Sequence, residues 1–144
     1  MPTSETSRRG FDGALAHLLL RLTLGTNILM HGGMRILTGE NKFVTGLVQT
    51  YQGSLLPQSL VWGFATVLPW IEAAIGIMIV TGFRLRIALA AGAVWMTVLT
   101  FGVGVRQNWE SAGLQLPYAI AFALLLASVS VDRYSLDGWL RRNK

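Results

Sequence analysis

The sequence predicts an all-α membrane protein built as a bundle of four transmembrane helices. Of its 144 residues, 52% are hydrophobic and 13% are charged, and that charged share is about half of what a typical soluble domain carries. The hydrophobic residues also form long runs of about 20 residues, a length typical of helices that cross a bilayer. Because backbone polar groups cannot stay unpaired in lipid, each run must be helical.

Four such runs make up the predicted membrane domain, residues 14–131. The spans are placed at residues 14–34, 61–82, 87–105 and 114–131. Before them lies a polar cytoplasmic N-tail, residues 1–13, and after them an interfacial cytoplasmic C-tail, residues 132–144. No small-residue cleavage site follows the first span, so no removable signal peptide is predicted.

Lysine and arginine are distributed unevenly between the two sides of the predicted bundle. Eight of them fall on the side that holds both tails and the turn between spans two and three, and three fall on the other side. The positive-inside rule therefore places both termini in the cytoplasm, which an even number of spans also permits. The prediction is an N-in/C-in, multi-pass protein of the bacterial cytoplasmic (inner) membrane.

The connection between spans one and two, residues 35–60, is the only long one in the sequence. Its apolar residues recur at helical spacing, and they are Phe43, Leu47, Val48, Tyr51 and Leu55. This pattern predicts a short interfacial helix on the outer membrane face, ended by Pro57. An irregular cap over the bundle is the alternative.

The C-tail places Tyr134 and Trp139 beside Arg141 and Arg142. Aromatic rings at the lipid headgroups, with cations toward anionic lipid, are typical of an interfacial anchor. Membrane lipid is therefore the first predicted partner. Nucleic acid is not a predicted partner, because the membrane topology accounts for the net charge of +5.

Glu72 lies near the middle of the second span, where a charge costs about 2.5–3.5 kcal/mol. One Leu or Ile returns only about 0.3–0.6 kcal/mol, so the carboxylate needs a partner. Arg21 in the first span is the predicted one, because the two positions differ in depth by about 5 Å. A guanidinium can cover that difference and form a bidentate pair. Ionisable residues inside membranes are usually functional, so both are candidate catalytic residues.

Other interpretations of this pair stay open. Arg21 can instead extend its side chain to the cytoplasmic interface, and Glu72 can be a protonated carboxyl group that is hydrogen-bonded within the bundle. The pair can also be purely structural and fix the helix register. Pro69, one turn before Glu72, predicts a kink that either opens room for a water or ligand or has no function.

His31, near the outer end of the first span, is the third candidate catalytic residue, as a proton acceptor or quinone contact. An ordinary interfacial histidine is the alternative. Asn27, one turn further inside, is a candidate cofactor-binding residue. His17 and His31 are 14 residues apart, a spacing similar to that of di-haem cytochromes. Haem would need facing histidines from a dimer or partner subunit and is therefore not favoured.

Arg106 and Trp109 are the other candidate cofactor-binding residues. They belong to a polar segment, residues 106–115, that is predicted to be a loop on the same outer side as His31. A headgroup or a quinone ring can enter there. A plain loop is the alternative, with Arg106 and Glu110 forming a surface ion pair.

The chain has no cysteine. This excludes a disulfide framework, a thiol nucleophile and a cysteine-based metal or iron–sulfur site on this chain, and no metal site is predicted. Thiosulfate or thiol chemistry would need another subunit or direct contact with a quinone.

Three segments, in their order and spacing, resemble the DoxX family of small membrane proteins. They are RLTLGTNILMHGGMRI in the first span, LPWIEAAIGIMIVTGFRLRIAL in and after the second, and NWESAGLQLPYAIAFALLLASVSVDRYSLD at the end. The resemblance covers residues 19–137 and implies a four-helix membrane bundle. Arg21 and Glu72 match an arginine and a glutamate that recur inside the membrane in that family.

The family's name comes from a subunit of thiosulfate:quinone oxidoreductase, and related members are linked to redox and thiol-stress complexes. The resemblance therefore implies an integral membrane subunit of a quinone-linked oxidoreductase or redox-associated complex, not a stand-alone enzyme. A quinone is the implied cofactor, and a further subunit or a second copy of the chain is the implied partner. The alternative is a non-enzymatic assembly or anchoring subunit, with a small transporter third.

Overall fold

The structure, a computed structural model, describes residues 4–142, which form helices joined by turns. In chain order these are α1 (Ser4–Leu37), α2 (Glu40–Thr50), α3 (Gln58–Thr81), α4 (Leu85–Val105), α5 (Trp109–Ala127), a 3₁₀ turn (Val129–Val131) and α6 (Leu136–Arg142). Four helices are long and apolar enough to cross a membrane, namely α1 over Gly10–Leu37 and the whole of α3, α4 and α5. The prediction of an all-α fold with four candidate spans is confirmed.

The two ends of the described chain meet at one end of the bundle. Arg21 of α1 donates to the backbone carbonyl of Tyr134, which precedes α6, over 2.8 Å. We call this the terminal end, and we call the opposite one, where α2 lies, the α2 end. Which membrane side each end faces stays a prediction, as does the interfacial position of α2.

Glycines bring α1 and α3 into close backbone contact. A Cβ atom on Gly76 of α3 would lie 2.5 Å from the backbone nitrogen of Leu29, and one on Gly32 of α1 would collide with the backbone of α3 at Pro69. Small residues allow such approach, which is a main source of packing contact between membrane helices. This close approach sets the register of α1 against α3.

A glycine also allows close packing between α4 and α5, where its partner is an aromatic ring. Gly92 of α4 leaves space for the ring of Phe122 of α5, which is 1% exposed. Next to this contact lies a buried apolar layer to which four helices contribute. Its fully or almost fully buried members include Leu24, Ile79, Leu89 and Leu125.

The C-terminal segment returns to the turn between α3 and α4. The carboxylate of Asp137 accepts hydrogen bonds from the backbone nitrogens of Arg84 and Leu85, both over 2.9 Å, while its own backbone nitrogen donates to the carbonyl of Gly82. Arg84 offers no capping side chain to α4. The acceptor that the first amides of α4 require is therefore supplied from α6.

Two predicted boundaries are wrong. Pro57 is the N-cap of α3 rather than the end of the preceding helix, because α2 stops at Thr50 and the chain turns through Gly53 at φ 75. The segment 106–115 is largely helical, because the side chain of Asn108 accepts from the backbone nitrogen of Ser111 and starts α5 there. α1 begins at Ser4, so it includes part of the predicted N-tail, whose cytoplasmic location stays a prediction.

Candidate functional site

A cavity of about 590 Å³ lies at the α2 end, between the α1–α3 pair and the α4–α5 pair. Its wall is drawn from five helices and their connections, with α2 over one side. The aromatic side chains in the wall are Phe43, Tyr51, Phe64, Phe101 and Tyr118. The polar ones are His31, Arg35, Glu72, Ser111 and Gln115. Because the remaining lining residues are apolar, the cavity suits a largely apolar guest that carries a small polar group.

The charged feature of this wall is an ion pair between Arg35 and Glu72. Nη1 of Arg35, in the last turn of α1, donates to Oε2 of Glu72, inside α3. The side chain of Glu72 is 6% exposed and that of Arg35 is 28% exposed. The arginine therefore neutralises a buried carboxylate whose isolated charge would be costly in a membrane.

Arg21 does not pair with Glu72, so the predicted pairing is wrong. The Arg21 side chain is 1% exposed, which also disagrees with extension to an interface. Its guanidinium donates to the backbone carbonyls of Ile79 over 2.9 Å, Val80 over 3.0 Å and Tyr134 over 2.8 Å. These three bonds join α1, the end of α3 and the C-terminal segment.

The register of α1 on α3 explains this difference. Gly25 of α1 faces Ile79 and Val80, because a Cβ on it would lie 2.9 Å from both of their side chains. Arg21, one turn earlier, consequently lies beside the last turn of α3. Carbonyls in a last turn lack intrahelical donors and form the negative end of the helix dipole, so they attract a cation.

His31 and Asn27 have different relations to the cavity. His31 lies in the wall, one turn before Arg35. Asn27 is outside the wall, where its Oδ1 accepts a hydrogen bond from the hydroxyl of Tyr118 over 3.1 Å. Tyr118 is a wall residue, so Asn27 is linked to the cavity through that hydrogen bond.

Arg106 and Trp109 lie at the α2 end but outside the cavity wall. The guanidinium of Arg106 lies 5.1 Å from the ring centre of Tyr51, which is a wall residue. Burial raises the pKa of the Tyr51 phenol, and the positive charge of Arg106 opposes that shift. Tyr51 is therefore protonated at neutral pH and can donate a hydrogen bond. Trp109, the first residue of α5, is 70% exposed.

Several wall residues were not among the predicted site residues. Arg35 follows Gly32 on the same stripe of α1, and this spacing was the signal that could have identified it as the partner of Glu72. Ser111 and Gln115 are four residues apart on α5 and therefore share one helix face. They were not predicted as a pair, because this segment was predicted to be a loop. Within residues 4–142, the buried Oε1 of Gln115 has no hydrogen-bond partner. An unpaired buried acceptor in a cavity wall can accept from a guest.

A second buried polar group lies at the terminal end, around His17. Nδ1 of His17 is 2.9 Å from Oγ of Ser128, and the His17 side chain is 3% exposed. Asp132, 7% exposed, is a buried polar residue of the C-terminal segment. His17 and His31 therefore belong to opposite ends of the bundle. This cluster was not predicted, because the C-tail was placed outside the bundle. Its contacts hold the C-terminal segment against α1.

Comparison with known proteins identifies one family. The family model of DoxX matches residues 16–105, which include α2, α3, α4 and both members of the Arg35–Glu72 pair. No curated protein and no solved structure matches the chain.

Proposed function

The chain belongs to the DoxX family, and from this we propose that it is an integral membrane subunit of a quinone-linked oxidoreductase or related redox complex, with the quinone ring in the cavity beside Arg35 and Glu72. The observation that carries the proposal is a cavity of about 590 Å³ whose apolar wall contains one buried ion pair. Small-molecule sites usually enclose about 300–1,000 Å³ and combine an apolar wall with a few polar groups.

The electrostatics of the wall favour an uncharged guest. The charges of Arg35 and Glu72 cancel each other, so an ionic guest would be buried without compensation. Phe43, Phe64 and Phe101 offer aromatic surface to a ring, and aromatic side chains pack well against one another and against planar guests. A quinone combines such a ring with an apolar tail and uncharged oxygens.

Four wall residues have a defined role in this proposal. Arg35 keeps N–H groups beyond the one that binds Glu72, and it donates one to a ring carbonyl oxygen. Tyr51 donates its phenolic proton as a hydrogen bond, and Oε1 of Gln115 accepts from a ring hydroxyl. Glu72 exchanges the proton, as a general acid or base. A bound quinone supplies two-electron, two-proton chemistry.

The electron donor is placed on a partner subunit in this proposal. The chain has no cysteine, so thiol redox chemistry and cysteine-held clusters must lie elsewhere. His31 lies in the same wall and is proposed to pass protons between Glu72 and the α2 end.

A second candidate is a non-enzymatic assembly or anchoring subunit. The glycine contacts of α1 with α3 and the Arg35–Glu72 pair are sufficient to fix the helix register without any guest. In that case the ion pair has the structural role that buried pairs have in some proteins. Both candidates include a partner subunit or a second copy of the chain.

A filled-cavity variant tests the quinone proposal. Leu99 lines the cavity, whereas Val94, also on α4, is 65% exposed and lies outside the wall. We expect Leu99→Trp to weaken binding of a short-chain quinone to the purified protein in nanodiscs by more than about tenfold, a change of 1.4 kcal/mol. Val94→Trp should leave binding unchanged.

The same experiment separates the two candidates. Equal binding by both variants would place the quinone outside this cavity, and no binding by any of the proteins would reject a quinone site on the isolated chain. The assembly role would then be supported if Leu99→Trp still co-purified with the same partners as the unaltered chain in mild detergent.

A further inference from the structure

We propose that α2 is a hinged wall of the cavity and that Arg35 couples the position of this wall to occupancy of the cavity. The inference rests on the proposed function, because it concerns how a guest reaches the site beside Arg35 and Glu72. Four features of α2 carry it: the direction from which the cavity can be reached, the face that α2 presents, the glycines at its two ends and the contacts that fasten it.

The cavity communicates with the α2 end of the bundle. On each spanning helix the wall residues lie toward that end, while the next residues toward the terminal end belong to the buried apolar layer. Ile79, Leu89 and Leu125, for example, are 0% exposed. The cavity is therefore closed by packed side chains toward the terminal end, and α2 borders it at the opposite end.

One face of α2 forms part of the wall. Three residues spaced four apart line the cavity, namely Phe43 and Leu47 of α2 and its C-cap residue Tyr51. Val44, next to Phe43, is 6% exposed. Residues spaced four apart share one helix face. Outward movement of α2 would therefore open a continuous side of the cavity.

Glycines with positive φ angles lie on both sides of α2. Gly39, its N-cap, has φ 115, and Gly53, after its last turn, has φ 75. A Cβ atom on either glycine would meet no other atom within 4 Å. Glycine is therefore required by the backbone conformation and not by packing. Such positions can take up the large changes in backbone angle that a hinge needs.

Three side-chain contacts fasten α2 to the bundle. Nε1 of Trp70 donates to Glu40 over 3.4 Å, the guanidinium of Arg35 lies 4.7 Å from the ring centre of Phe43, and Arg106 covers Tyr51. Contacts of this kind are individually weak when partly exposed. Such contacts can be broken one at a time, although the buried Val44 also packs α2 against the bundle.

Arg35 takes part in both the polar site and the closure. The same guanidinium that pairs with Glu72 covers the ring of Phe43. A guest that hydrogen-bonds to Arg35 competes for this guanidinium, so its binding changes the contact that holds α2. Because the two contacts share one group, occupancy and the position of α2 shift each other.

The hinge is tested first without any guest. The chain has no cysteine, so Leu47→Cys introduces a unique thiol on the cavity face of α2. We expect Gly39→Ala combined with Gly53→Ala to raise the rate at which a membrane-impermeant thiol reagent modifies that cysteine. Gly46→Ala is the matched control, because Gly46 lies inside α2 and also has free space around it. Equal rates in all three backgrounds would overturn the hinge.

The coupling is tested by the same labelling in a Phe43→Leu background. Loss of the cation–π contact should raise the modification rate by roughly three- to tenfold, and Arg35→Lys, which retains the charge, should raise it less. A short-chain quinone should raise the modification rate in the unaltered background, because it weakens the Arg35–Phe43 contact, and should not raise it further in Phe43→Leu. An unchanged rate in Phe43→Leu would overturn the role of Arg35 in closure.

A covalent lock separates this inference from the proposed function. Glu40→Cys and Trp70→Cys, joined by a short thiol-reactive cross-linker, should slow both quinone binding and quinone release. The lock should also lower the equilibrium affinity, because occupancy of the cavity and the position of α2 are coupled. Normal rates in the locked protein would overturn α2 as the route of entry. Absence of quinone binding before locking would reject the proposed function instead, while the labelling rates would still decide whether α2 opens.

Discussion

Arg35 binds Glu72 across the α1–α3 interface, with the arginine at the surface and the carboxylate inside. The two side chains differ more than fourfold in exposure, at 28% and 6%. Removing the arginine leaves a buried charge, whereas removing the carboxylate leaves an arginine that water can reach. This asymmetry gives the first prediction.

Arg35→Gln should lower the free energy of unfolding by about 3–5 kcal/mol, the usual cost of leaving one member of a buried pair alone. Glu72→Gln should cost less, about 1–3 kcal/mol, because it keeps an acceptor oxygen and leaves an arginine that water can reach. The double variant should cost less than the sum of the single ones. Unfolding in detergent, followed by circular dichroism, measures all three.

The matched control for this pair is Arg21→Gln combined with Glu72→Gln. Arg21 and Arg35 are separated by about 21 Å along α1, so the effects of Arg21→Gln and Glu72→Gln should add within about 0.5 kcal/mol. A coupling between residues 21 and 72 larger than the one between residues 35 and 72 would contradict the structure.

Gly32 and Gly33 are neighbours in α1 with opposite surroundings. A Cβ on Gly32 would collide with α3, whereas a Cβ on Gly33 would meet nothing within 4 Å. Gly32→Ala should therefore destabilise the protein by about 1–3 kcal/mol through overpacking. Gly33→Ala should be neutral or stabilising by up to about 1 kcal/mol, from helix propensity. The difference in thermal midpoint between the two variants checks this.

The reverse ranking of the two glycine variants would mean that α1 presents a different face to α3. Equal destabilisation by Gly32→Ala and Gly33→Ala would mean that contact between α1 and α3 does not determine the loss of stability. Either result would also remove the register that places Arg35 on Glu72.

The four spans could be predicted from the sequence because each depends on a run of apolar residues alone. The need of Glu72 for a cationic partner was also predictable, since burial of its charge in lipid is costly. The identity of that partner was not, because it depends on a register set by backbone contact at Gly32 and Gly76. A count of residues from predicted span ends cannot resolve which turn of α1 faces Glu72.

The capping of α4 and the burial of the C-terminal segment could not be predicted for a related reason. Asp137 and Tyr134 accept hydrogen bonds from residues that are more than 50 positions earlier in the chain. Charge patterns within a tail do not reveal such contacts. The cavity likewise depends on how two helix pairs diverge, which no single segment encodes.

Arg21 should hold the C-terminal segment against α1 and α3 at the terminal end. Arg21→Lys replaces a planar group that serves three carbonyls with a single ammonium, so about 1–3 kcal/mol should be lost for the carbonyls left unpaired. The C-terminal segment should also be released. We expect faster tryptic cleavage after Arg133, followed by mass spectrometry of the cleaved chain.

The control for Arg21→Lys is Arg86→Lys, at an exposed arginine near the same end. It should alter neither stability nor the cleavage rate after Arg133. Unchanged cleavage in Arg21→Lys would show that the C-terminal segment is held by other contacts, of which the Asp137 cap is the principal one.

Asp137 should stabilise α4 from a distance of more than 50 residues in sequence. Asp137→Ala removes the acceptor for the backbone nitrogens of Arg84 and Leu85, so it should cost about 0.5–2 kcal/mol, as for the loss of a helix cap. Asp137→Asn keeps one accepting oxygen and should cost less. Glu110→Ala, in the exposed first turn of α5, is the control. Hydrogen exchange of the first amides of α4 should accelerate in Asp137→Ala alone, whereas acceleration throughout α4 would indicate that the segment supports the whole helix.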